Sequence, residues 1–327
     1  MKIFVTRQIP GDHLEKLKKE NDVTISEFDR PLSAEELLER SKGMDGILSL
    51  LSDKIDGDVV DAIGPQLKVV SNYAVGFDNI NVGQLSDRGV VVTNTPSDEV
   101  NEAVAEHTWA LIFSLARRIV EADESTRRGA YRGWEPDLYL GTTLKGKTLG
   151  IIGLGRIGTM VARRAKGYEM NVVYNKHTRD TKCEKNLGVK FCEIDDLLKK
   201  SDIVTLHTPL NDETRHLINK DTLSKMKKGS YLVNTSRGSV VAEHDLVNAL
   251  RTGQLSGAGL DVFETEPNID PELVGMENVI LTPHIASATI EARDDMGRLA
   301  VEGILNTFAD KIPSNIVNKE VWQKRRK

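Results

Sequence analysis

Short apolar runs alternate with stretches of helical spacing along most of the 327 residues. In the first third, residues 2–6, 23–26, 46–51, 67–71 and 90–93 read as strands and 13–20 as a helix. Ser33, followed three residues later by Glu36, has the spacing of a capping box at the start of another helix. Residues 101–118 form one long helical pattern, with Val104, Thr108, Leu111, Ile112 and Leu115 on one face. Residues 125–146 break the rhythm and read as an irregular arm carrying exposed aromatics, either a surface loop or a dimer arm. The alternation then resumes, with six strands expected at 149–152, 171–174, 202–206, 230–234, 256–260 and 278–281, and a last helix at 288–309. Strand–helix alternation predicts an α/β chain of parallel sheets with helices on both faces.

The length exceeds what one core usually covers, so two domains are expected. Apolar residues at 39%, charged residues at 28% and a net charge of −5 describe an ordinary globular protein and give no nucleic-acid surface. The N-terminal apolar run is too short for a signal segment or a membrane span, which points to a cytoplasmic protein. Cys183 and Cys192 lack metal-ligand spacing, and no metal is expected.

The densest chemical signal is Gly153-Leu-Gly155-Arg156-Ile157-Gly158. It follows a buried-strand pattern and opens a helical one, the context that a dinucleotide-binding glycine turn requires. Gly153 permits the tight turn, Gly155 lets backbone approach a pyrophosphate, and Gly158 lets helix and strand pack closely. The N–H groups of Arg156 and Ile157 open the helix that faces the phosphates. In such sheets ligands bind beyond the carboxyl ends of the strands. Polar residues gather at those ends: Thr208-Pro209, Asn234-Thr235-Ser236-Arg237, Asp261 with Glu264 and Glu266, and Thr282-Pro283-His284 with Ala286. Each alone has a plain structural reading, as a surface cation, an acidic turn or a helix-start neighbour. Together they offer an Arg to grip a carboxylate, a His to deliver a proton, and a Glu, either 264 or 266, to hold the His. That set suits hydride transfer to a 2-oxo acid by a nicotinamide cofactor.

Six segments in this order resemble the D-isomer-specific 2-hydroxyacid dehydrogenases, most closely the glyoxylate/hydroxypyruvate reductase branch. They are residues 72–79, 92–96, 150–158, 233–238, 259–267 and 282–287. The resemblance implies two doubly wound parallel-sheet domains, a Rossmann domain (100–286, with a dimer arm at about 120–146) inserted into a flavodoxin-like substrate domain (1–99 plus 287–327). It implies that Arg237 binds substrate, that His284 donates the proton, and that Glu266, directly before Pro267, supports the His. It places backbone N–H groups at Val75 and Gly76 on the substrate carboxylate, Ser52 beside the pocket, and the substrate between the domains. It also implies a homodimer through the nucleotide domain, with Trp134 of the arm reaching a partner's site. Remaining alternatives are the same fold acting on a phosphonate or 3-phosphoglycerate type of substrate, or a dinucleotide-sensing corepressor without turnover.

The segment after the second strand of the nucleotide domain bears on the cofactor. A carboxylate there would meet the ribose 2′-hydroxyl of NAD. Here it reads Asn175-Lys176-His177-Thr178-Arg179, with no acid before Asp180. That favours NADP, with NAD as a second cofactor.

Overall fold

The computed structural model describes residues 1–327 as two compact units, Met1–Val100 with Ala288–Lys327, and Asn101–Ser287. The first unit opens with β1 (Lys2–Val5), α1 (His13–Lys18), β2 (Asp22–Ile25), α2 (Ala34–Ser41), β3 (Gly46–Ser49), α3 (Gly57–Ile63), β4 (Val69–Asn72), α4 (Val82–Asp87) and β5 (Val91–Thr93). Every residue of β3, β4 and β5 is buried, as expected of strands covered on both faces. The all-parallel order is β2-β1-β3-β4-β5, a flavodoxin-like winding that reverses between β1 and β3. Both hydrogen bonds of the Ser33–Glu36 capping box are present at the start of α2.

The chain continues through α5 (Asp98–Arg117) and α6 (Ile119–Arg127) into a second alternation. It comprises β6 (Thr148–Ile152), α7 (Arg156–Ala165), β7 (Asn171–Asn175), α8 (Thr181–Leu187), β8 (Lys190–Phe191), α9 (Ile194–Lys200) and β9 (Ile203–Leu206). Then come α10 (Lys220–Lys225), β10 (Ser230–Asn234), α11 (Glu243–Arg251), β11 (Leu255–Leu260), α12 (Pro271–Val274) and β12 (Val279–Leu281). The parallel order β12-β11-β10-β9-β6-β7-β8 reverses between β6 and β9, the switch point beside which the glycine turn lies. Leu111 and Leu115 of α5 pack on Gly257 and Gly259 of β11, where an added Cβ would come within 3.1–3.3 Å of them.

Two expectations needed correction. The sheet has seven strands, not six: β8 is two residues long, paired with Val173 and Tyr174, and too short to show a period. The arm is not irregular from its start, because α6 occupies 119–127. No residue of α6 is buried, and Arg118–Glu121 and Arg127–Asp123 pairs line it. Such a helix leaves no apolar stripe to read. Arg118, with φ of 52°, separates it from α5.

The last helix, α13 (Ile290–Phe308), returns to the first sheet. Ser71 of β4 donates to the Ala300 carbonyl at 2.8 Å, and Gly303 sits so close to Thr93 that a Cβ would lie 2.5 Å from its hydroxyl. No helix is long and apolar enough to cross a membrane.

Candidate active site

The glycine turn has the shape that its sequence implies. Gly153 has φ of +98°, and a Cβ there would lie 2.5 Å from the His207 carbonyl oxygen. A Cβ on Gly158 would lie 2.2 Å from the Gly153 oxygen, so helix and strand meet backbone to backbone. Gly155 differs: nothing stands within 4 Å of its Cβ position, and it is the N-cap of α7 with no side-chain cap. The first turn of α7, at exposed Arg156 and half-buried Ile157, therefore starts uncapped beside open space. These features fit a dinucleotide pyrophosphate.

Beyond β7, Asn175 accepts from Gly153 N–H and gives its side-chain amide to the Cys192 carbonyl. Lys176 Nζ lies 3.7 Å from Asp180, which also caps α8 through Cys183 N–H. Arg179 makes a two-pronged pair with Glu184 at 2.8 Å, and Tyr174 donates its hydroxyl to the same carboxylate. His177 and Thr178 are exposed. Both loop cations thus already stand beside an acid, Asp180 or Glu184; sequence reading missed the second, ten residues past Tyr174.

After β9, the buried Thr208 hydroxyl has no hydrogen-bond partner, and neither has His207 Nδ1. Burial pushes the His207 pKa down to about 3, so its imidazole is neutral. Pro209 is exposed. After β10, Thr235 bonds the Thr108 hydroxyl at 3.0 Å and Ser236 bonds its own neighbour Asn234. Both hydroxyls are turned to internal work, while Asn234 also holds the Arg237 carbonyl.

The groups beyond β11 and β12 converge. His284 Nδ1 lies 2.9 Å from Glu266 Oε2, and Glu266 Oε1 accepts from Phe263 N–H at 3.0 Å. Burial would raise the Glu266 pKa, but the bond and charge of His284, the Phe263 N–H and the charge of Arg237 hold it below the usual carboxylate range. The Asp261 carboxylate is fully buried and accepts from Thr282 Oγ1, Ile285 N–H and Ala286 N–H at 2.6–2.9 Å. Its backbone carbonyl takes the His284 N–H at 2.9 Å. Against the opposing effect of burial, these bonds and His107, 3.5 Å away, keep the Asp261 pKa low. The loop is so wrapped around Asp261 that His284, with φ of +54°, is held in the left-handed region. Asp261, an expected cofactor contact, thus spends its carboxylate on the loop; Thr282 stood among the polar strand-end residues, while His107 showed no signal in the sequence.

In the first unit, the Val75 and Gly76 carbonyls are taken by Asn94 and Asn72 at 2.7 and 3.0 Å. Their N–H groups make no hydrogen bond within the chain, as an anion-binding pair requires. Ser52 is exposed, in a loop held by Asp53, which accepts from Thr6 and Leu50. Trp134 is 83% exposed in the arm of the second unit.

A parallel sheet with a dinucleotide turn, and an Arg, a Glu and a His gathered at its carboxyl edge, defines a nicotinamide-dependent oxidoreductase. Residues 109–286 match the family described as "D-isomer specific 2-hydroxyacid dehydrogenase, NAD binding domain". The chain is 44% identical over 329 aligned residues to a glyoxylate reductase of Thermococcus onnurineus, covering 99% of this chain and 98% of that one. The solved structure of the TT0316 protein from Thermus thermophilus aligns with a TM-score of 0.90 at 40% identity, over 97% and 100% of the two chains. An NADPH-dependent glyoxylate/hydroxypyruvate reductase from Sinorhizobium meliloti, in complex with NADP and malonate, aligns at 0.85 and 31% identity, over 100% and 98%. The chain belongs to the D-isomer-specific 2-hydroxyacid dehydrogenase family.

Proposed function

We propose that this enzyme reduces small 2-oxo acids, glyoxylate and hydroxypyruvate first, to the corresponding 2-hydroxy acids of D configuration, with NADPH preferred over NADH. The observation that carries the reading is the Glu266–His284 pair, set beside Arg237 at the carboxyl edge of the sheet that bears the glycine turn. When bound, the reduced nicotinamide supplies the hydride. Gly153, Gly155 and Gly158, the uncapped start of α7 and Thr208 are assigned to holding the dinucleotide. Arg237 grips the substrate and polarises its carbonyl with a planar set of donors. The N–H groups of Val75 and Gly76 receive the carboxylate. Glu266 occupies Nδ1 of His284, which leaves Nε2 to give its proton to the carbonyl oxygen.

The NADPH preference rests on the basic loop after β7, and the Sinorhizobium meliloti relative described as NADPH-dependent supports it. Because Lys176 and Arg179 stand beside Asp180 and Glu184, their pull on a 2′-phosphate is moderated and NADH remains a second cofactor. The same reading makes the protein a homodimer through the second unit, since Tyr131, Trp134 and Leu140 of the arm are 61%, 83% and 66% exposed. The experiment is loss of reduced-nicotinamide absorbance with glyoxylate and hydroxypyruvate, using NADPH and NADH in parallel. Turnover that favours NADPH is expected; cofactor binding with no turnover of either acid would overturn the reading.

A further inference from the structure

The loop that carries Glu266 holds a second acid, and that acid faces a different set of groups. We propose that Glu264 is a positioning residue for the Glu266–His284 pair, with His216 and Glu243 as its anchors. The inference rests on the reading of that pair as the proton-delivering one.

Residues between β11 and α12 have no sheet or helix to shape them, yet Glu266 must present one oxygen to His284 while its other oxygen caps Phe263 N–H. Glu266 therefore fixes part of its own loop, and something else must fix the rest. Glu264 does so on three sides. Its Oε1 lies 2.5 Å from His216 Nε2, and its Oε2 accepts from Glu243 N–H at 3.2 Å. Its own N–H donates to Glu243 Oε1 at 2.6 Å, so the two glutamates exchange backbone donors across 21 residues of sequence. The Ser239 hydroxyl points to its carbonyl at 3.4 Å.

The anchors are themselves held. His216 adopts a left-handed backbone, with φ of 50°, and its N–H is bound by the Ser239 carbonyl. Glu243 is 9% exposed at the start of α11. Beside them, Gly238 lies so close to the loop that a Cβ would sit 1.8 Å from the Phe263 carbonyl carbon. The segment that follows Arg237 and the segment that precedes Glu266 are thus in direct backbone contact, and Glu264 ties the same two segments together by hydrogen bonds. Glu243 is a buried carboxylate, costly unless it is bonded in this way, while Glu264 and His216 are partly exposed. A network of this cost, adjacent to the reacting pair, sets the distance between Glu266 and His284.

The test is steady-state kinetics and pH–rate profiles of the full-length variants Glu264→Ala, Glu264→Gln and His216→Ala. For Glu264→Ala, kcat is expected to fall about tenfold while KM for the oxo acid changes by less than about threefold. The pH profile of kcat changes shape, because a displaced Glu266 no longer holds Nδ1 of His284. Cofactor affinity by fluorescence titration stays unchanged. Glu264→Gln restores most of kcat, since its amide oxygen can accept from Glu243 and its amide nitrogen can meet His216. His216→Ala, which keeps the exchange with Glu243, falls between the two, and it decides on the same readouts if Glu264→Ala does not fold. Wild-type kcat in Glu264→Ala, or a lowered melting temperature with kcat and pH profile intact, overturns the inference. His284→Gln, assayed alongside, separates the two levels. If it keeps turnover, the pair itself is not the proton source and both readings fall; if it loses turnover while Glu264→Ala keeps it, only the role of Glu264 falls.

Discussion

His284 Nδ1 and Glu266 Oε2 lie 2.9 Å apart, and the His284 backbone is bound separately to the Asp261 carbonyl. Ring and backbone thus have independent restraints. Replacing the ring with a group that cannot give a proton should leave the loop in place. His284→Gln is expected to lower kcat by roughly 10³-fold, with cofactor affinity within about twofold of wild type. Stopped-flow turnover and fluorescence titration check the two halves; a matching loss of cofactor binding would mark His284 as a structural residue.

The glycine turn separates fit from function. Gly158→Ala forces a methyl to 2.2 Å from the Gly153 oxygen, so melting temperature should fall, with a cost of about 1–3 kcal/mol. Gly155→Ala adds a methyl into open space and should leave melting temperature unchanged. It should instead raise the cofactor Kd about tenfold, because the pyrophosphate must approach that backbone. Calorimetry of the apoprotein with cofactor titration tests both, and an unchanged Kd in Gly155→Ala would remove the pyrophosphate from this turn.

Cofactor preference should follow the charge after β7. Lys176→Asp puts a carboxylate where a 2′-hydroxyl is expected and repels a 2′-phosphate. The ratio of kcat/KM for NADPH over NADH is expected to drop at least about tenfold. A constant ratio would mean that Lys176, which stands 3.7 Å from Asp180, serves only the loop.

Stability should decline on mild acidification because of His207. In the unfolded chain this imidazole takes a proton near its ordinary value of 6.5; burial in the fold delays that to about 3. The unfolded state then binds more protons between those values, so the stabilisation is complete above pH 6.5 and is lost as pH falls toward 3. The slope from this one group is at most about 1.4 kcal/mol per pH unit. Chemical unfolding at a series of pH values should show a shallower decline in His207→Gln than in wild type over roughly pH 6.5 to 4.

Much of the architecture is local and was therefore legible in the sequence. A capping box closes over four residues, so Ser33 and Glu36 announce the start of α2. The glycine turn closes over six, and strands buried on both faces carry short apolar runs, such as Ile47-Leu48 in β3 and Val69-Val70 in β4. What escaped was short or unpatterned: two-residue β8, and α6 with no buried face.

The site divides on the same line. Arg237, Glu266 and His284 stand at the ends of predicted strands, and the order of strands in a parallel sheet carries those ends to one edge. Residue spacing alone left Glu264 and Glu266 equivalent; family resemblance selected Glu266. The fold supplies the physical difference: Glu266 faces His284, while Glu264 faces His216 and Glu243. Likewise no pattern marked Asp261 as the residue around which the His284 loop closes, or Glu184 as the partner of Arg179. The elements, their winding and the chemical types brought to the sheet edge were already encoded in residue order, because they follow from interactions between near neighbours and from the rules of parallel sheets. Which acid meets which base is settled in three dimensions, because a hydrogen bond across some 20 residues, such as that between Glu243 and Glu264, depends on ångström-scale positions that no spacing along the chain encodes.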